Sequence, residues 1–106
     1  MDDRIERPHA GWWVAVLGGL GSLAVVALDP GAYAAWSRSV TPALSQPLLQ
    51  LALAIALLLH VGEALYARRL AQRAGFERSA SGWFWQTLAV GFPSLRLIRR
   101  RAGAAR

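Results

Sequence analysis

The sequence predicts an all-α membrane protein: a small bundle of three transmembrane helices, the third short and kinked at a proline. Three observations carry that expectation. The 106-residue chain is 55% hydrophobic with a mean hydropathy of +0.30. Its apolar residues are concentrated in three blocks, 11–28, 48–67 and 83–98, separated by connectors that are charged or contain Pro and Gly. The block 48–67 has no arginine, and at about 1.5 Å rise per residue its helix would cover about 30 Å of hydrocarbon. That length leaves no room for a second domain, so residues 1–106 are read as one membrane domain ending in a basic tail, 99–106.

Charge supports the same reading. All 12 basic residues are arginine, and the net charge is +6. Nucleic-acid binding would need a basic face interleaved with aromatics on a soluble fold. Here the arginines sit at the ends of apolar blocks, where they anchor to headgroups and signal topology. The chain has no cysteine, which excludes disulfides and thiol catalysis. The first block is expected to be a retained span, because three acids precede it and it is too long for the apolar core of a signal peptide.

Block one begins at Trp12 and Trp13, whose indoles suit the water interface. Asp29-Pro30-Gly31 ends it, since Pro30 cannot continue a helix. Ala15, Gly18, Gly19 and Ser22 share one side and are expected to form a seam for another helix. The connector up to Pro47 has an Ala-rich middle suited to a short interfacial helix, but Arg38, Pro42 and Pro47 argue against a span. In block two, Ala52, Ala56, His60, Glu63 and Ala67 form one stripe of small and polar residues, the expected buried face of a bundle helix. Arg68 and Arg69 follow as anchors.

Block three opens at Trp83 and Trp85, read as interface anchors, and carries Gln86, Thr87, Gly91 and Ser94 on one face. Pro93 removes a backbone donor, and Arg96 must snorkel. Arg99, Arg100 and Arg101 end the block at a headgroup layer. Three full spans put six arginines on each side of the membrane, so the positive-inside rule does not choose an orientation. If block three is re-entrant or interfacial, the count becomes eleven to one. The expected arrangement is three spans, with the N-terminus and the second connector cytoplasmic.

The second half resembles a known family. His60-Val61-Gly62-Glu63-Ala64-Leu65-Tyr66-Ala67 is followed by a short basic connector with Gly75. Trp83-Phe84-x-Gln86-Thr87, Gly91 and Ser94-Leu95 then lead to a basic end. This order and spacing, over about residues 51–101, resembles the transmembrane protein 254 family of small multi-pass membrane proteins. The resemblance implies three transmembrane helices and carries no activity.

His60 and Glu63, three residues apart on one helical face, are the unusual groups. An ionisable side chain at bilayer depth costs about 2.5–3.5 kcal/mol at the centre on insertion scales. One reading is a buried polar cluster of His60, Glu63, Tyr66, Gln86 and Thr87 that fixes helix register. A second is a pocket for a lipid headgroup, a sterol-like ligand or a partner helix, and a third is proton transfer or metal binding. Metal is the poorest of these, for His9 is the other histidine and no thiol exists. No catalytic residue, cofactor or metal is therefore assigned. The favoured function is a non-enzymatic adaptor, assembly subunit or lipid-binding bundle, whose partners are the bilayer and a membrane protein or a second copy. The alternative is an intramembrane proton-transfer, enzyme or carrier subunit using His60 and Glu63.

Overall fold

A computed structural model describes residues 3–104. Among them the chain is all-helical: α1 (Ala10–Leu28), α2 (Pro30–Ser39), α3 (Gln46–Arg73), α4 (Ala80–Val90) and α5 (Phe92–Ala104). Two helices, α1 and α3, are long and apolar enough to cross a membrane.

Local chemistry sets the first boundaries. The Asp29 carboxylate accepts from the Ala32 N–H at 2.8 Å and starts α2, with Pro30 at its first position. The Ser45 hydroxyl accepts from the Leu48 N–H at 3.3 Å and starts α3. Pro47 sits in the first turn of α3, where a missing N–H costs nothing. The last carbonyls of α1 would be orphans in an apolar setting. Gln50 donates to Ala27 O at 3.0 Å and Gln46 to Val26 O at 3.4 Å, so α3 seals the end of α1 from across the interface. Ala27, Leu49 and Leu53 are buried there beneath Leu23, Tyr33 and Trp36.

The third block departs from expectation: it is two helices, not one span. Gly91 separates them at φ +71° and ψ −130°, a conformation essentially reserved for glycine. The chain then turns back. Thr87 meets Ser94, while Leu97 and Ile98 share a core with Trp83, Ala80, Phe76, Ala67, Leu70 and Ala71. A continuous helix would have carried Ile98 far from Trp83. The reversal therefore lies at Gly91 and not at Pro93, which occupies the first turn of α5 and leaves that helix intact.

Four further expectations change with the hairpin. Trp83 is fully buried in this core and is not an interface anchor. The stretch 99–104 belongs to α5 rather than to a separate tail, while Arg106 lies outside the described residues. The small stripe of α1 does not pack against the other described residues. Ala15, Gly18 and Ser22 are exposed, and the larger Val16, Leu20, Leu23 and Ala27 turn inward at heptad-like spacing instead. On α3, Ala52 is exposed, because the same preference for larger contact area turns Leu49, three positions before it, and Leu53, one position after, inward instead. Ala56 is half-buried and Ala67 fully buried, as the stripe required.

Candidate functional site

The hairpin tip comes to rest beside the middle of α3. His60 stands at the centre of that 28-residue helix. Its Nδ1 lies 2.8 Å from the Leu88 carbonyl oxygen. A carbonyl can only accept, so Nδ1 carries the proton and donates. Leu88 is in the last turn of α4, where carbonyls lack helical partners. His60 thus caps α4 from the neighbouring helix, and in the neutral ring Nε2 is left as an acceptor.

That Nε2 faces Gly91. A β-carbon at Gly91 would stand 3.1 Å from His60 Nε2 and 3.0 Å from Glu63 Oε2. The absence of a side chain on Gly91 lets the hairpin tip seat against both polar groups. Glu63 Oε2 is buried and has no hydrogen-bond partner among the described residues. An imidazole nitrogen and a carboxyl oxygen therefore converge on one backbone position, and no donor among the described residues bonds the carboxyl oxygen.

A second polar group lies apart from the first. Gln86 Nε2 donates to Ser94 Oγ and to the Glu6 carbonyl, both at 2.9 Å, and Thr87 Oγ1 is 2.9 Å from Ser94 Oγ. Ser94 and Thr87 are fully buried. These residues tie α4 to α5 and to the N-terminal segment. The expected single cluster is thus two, because Gln86 turns to the N-terminal segment and its hairpin partner rather than to Glu63. Tyr66 belongs to neither: it is half-exposed and lines a shallow recess with Leu70, Arg99, Ala102 and Gly103. Its place on α3, one turn beyond Glu63, lies under α5 rather than under the tip.

Residues 3–9 form an extended strap across α4, which the sequence did not reveal. Asp3 accepts from the N–H groups of Arg78 at 2.9 Å and Ser79 at 3.1 Å, and from the Ser79 hydroxyl. Ile5 crosses at Gly82, where a β-carbon would collide with its side chain. The Arg101 guanidinium donates to the Arg4 carbonyl and lies 5.0 Å from the Phe76 ring centroid and 5.9 Å from that of Trp83. Arg101 was expected to be a headgroup anchor. It instead clamps the strap onto the aromatic core, its flat cation stacking on ring faces. The exposed Trp12 (42%) and Trp85 (63%), with Arg68, Arg69, Arg99 and Arg100, remain on the surface, and Trp13 is half-buried.

The Asp3 carboxyl is held below the ordinary carboxylate range, first by the Ser79 hydroxyl, then by the Arg78 and Ser79 N–H groups and the Arg78 charge, against an opposing desolvation. A carboxylate depressed on folding adds stability above its unfolded pKa, and that stability is lost as pH falls through the folded one. The strap contribution is therefore expected to be full at neutral pH and lost in acid. Asp3→Asn should lower the melting temperature at neutral pH and leave it unchanged in acid, so that the acid limb flattens. An unchanged acid limb would show that the cap contributes nothing.

A family model described as Transmembrane protein 254 matches residues 11–100. No curated protein and no solved structure matches the chain.

Proposed function

The chain belongs to the transmembrane protein 254 family, and from that premise we propose that it is a non-enzymatic, two-span helix bundle that docks lipid and a membrane partner. In this reading α1 and α3 cross the bilayer, and α4–α5 re-enters from the arginine-rich side. Helix α4 has 11 residues, about 16 Å of helix, which reaches about halfway through a hydrocarbon core of about 30 Å. Its tip then lies at the depth of His60. Non-helical backbone at that depth needs protein cover, and the imidazole bond to Leu88 O supplies it.

The observation that carries the reading is the use made of the polar groups. His60 is spent on Leu88, and Gln86, Thr87 and Ser94 on one another and on the strap. Side chains engaged in this way support a role in fixing shape. The outward faces of α1 and α3, rich in exposed Val, Leu and Ile, are left for lipid, a partner helix or a second copy. Re-entry also puts eleven arginines on one side against Arg38 on the other, which orients the arginine-rich end to the cytoplasm.

Reporter fusions test the topology. Reporters inserted at Ser79 and after Ala104 are expected to read cytoplasmic, and one in the turn 41–44 to read the opposite side. Opposite readings from Ser79 and Ala104 would mean that the third block crosses.

A second reading stands on Glu63. Its unpartnered buried oxygen beside His60 Nε2 is the arrangement a proton-accepting carboxylate would use. In that case Glu63→Gln removes function and leaves the bundle assembled.

A further inference from the structure

Between the strap, the first turn of α1 and the outer side of α4 runs an open groove of about 580 Å³, walled by Ile5, Arg7, Trp13, Gly82, Trp85 and Gln86. We propose that it is a binding site for a phospholipid with a net-negative headgroup. The inference takes its membrane setting from the preceding reading.

The wall is two-natured. Two indoles and Ile5 offer a flat apolar surface, and Arg7 is the charged member of the wall among the described residues. Arg7 makes no hydrogen bond or ion pair among the described residues, so its five donors are unspent. A guanidinium matches a phosphate diester with two parallel N–H donors. Among the described residues no acid pairs with it. Asp3 is committed to Arg78 and Ser79, and Glu6 is not in the wall.

Depth selects the same occupant. Gly82, Trp85 and Gln86 lie in the first two turns of α4, within about 10 Å of its start. Beginning at the arginine-rich end, that interval is the headgroup and upper-chain layer, where tryptophan settles. A phosphate at Arg7 would leave its glycerol and first methylenes on Trp13 and Trp85. The groove volume lies inside the range of about 300–1,000 Å³ usual for small-ligand sites. Both a choline and a glycerol headgroup carry the phosphate diester; a choline cation beside Arg7 is repelled by its guanidinium, and an uncharged glycerol is not.

The test uses the full chain purified in detergent and offered phosphatidylglycerol or phosphatidylcholine, with retained lipid read by native mass spectrometry. The expected result is a preference of about tenfold for phosphatidylglycerol, the size of one like-charge repulsion relieved near a surface. Arg7→Gln should abolish the preference, and Arg38→Gln, at the opposite end of the bundle, should keep it. Trp85→Ala should lower retention of both lipids. Equal retention by the parent, a preference that survives Arg7→Gln, or retention indifferent to Trp85→Ala would each overturn the proposal. Glycerol phosphate, the headgroup without chains, should give no thermal protection; protection equal to that of the lipid would make this a free-anion site and sink the lipid assignment. Retention is read in detergent, so a failed topology leaves this result standing.

Discussion

Gly91→Ala is expected to destabilise the detergent-solubilised protein by about 1–3 kcal/mol, the usual range for a non-glycine residue held in a disfavoured backbone region. The added methyl also meets Glu63 Oε2 at 3.0 Å and two imidazole atoms at 3.1 Å, so it pushes the hairpin tip off α3. Gly62→Ala provides the control. Gly62 is helical and nothing lies within 4 Å of the site of its β-carbon, so there alanine should stabilise by about 0.5–1 kcal/mol through helix propensity. Thermal melts of both variants decide the matter. Equal and small shifts would mean that α4 and α5 do not need the Gly91 reversal, and a continuous helix would return to consideration.

The second large effect separates His60 from Glu63. His60→Phe keeps the ring and removes the donor, leaving the Leu88 carbonyl unpaired at the end of α4, at an expected loss of about 1–2 kcal/mol. Glu63→Leu should match or exceed the parent in stability, since the buried Oε2 makes no hydrogen bond to lose. On their shared stripe the two residues have equal standing by spacing alone. Melting temperatures in one detergent distinguish them: a Glu63→Leu variant as weak as His60→Phe would show that Glu63 has a partner essential to the bundle. If Glu63→Leu is stable and Glu63→Gln removes a cellular phenotype, the proton-transfer reading prevails.

Apolar length was legible, and the hairpin was not. The expected span 11–28 differs from α1 by one residue at its start. The span 48–67 underestimates α3, because Arg68, Arg69, Gln72 and Arg73 are good helix formers and no breaker precedes the Ala74 cap. Block three misled because Trp83, Phe84, Leu88, Phe92 and Leu95 are as apolar across a tight reversal as along a straight helix. Pro93 drew attention as the breaker, yet a first-turn proline is compatible with a helix, and the glycine two residues earlier makes the turn. Under the re-entry proposed above, the arginine count is eleven to one in place of the six against six of three spans.

Side-chain spacing likewise picked out His60, Glu63, Thr87, Gly91 and Ser94 as a polar and small set. It could not supply their partners, because the Leu88 and Glu6 carbonyls are backbone atoms with no residue-type signature. The same limit hid the strap. Asp3, Ile5 and the Arg4 carbonyl gain their roles from Ser79, Gly82 and Arg101, more than 70 positions away, and nothing local marks them.

That separation gives the strap a place in time. Asp3 leaves the ribosome 76 residues before Ser79. At about 5–20 residues per second, it waits about 4–15 s for the turn it caps. During that interval α1 and α3 can pair through Gln46 and Gln50, but the first residues have no surface to lie on. The hairpin, once made, is in turn unfastened until they arrive. Assembly therefore closes from both ends of the chain at once, and a bulky fusion ahead of Asp3 would disturb the last step of folding while leaving the earlier helix pairing untouched.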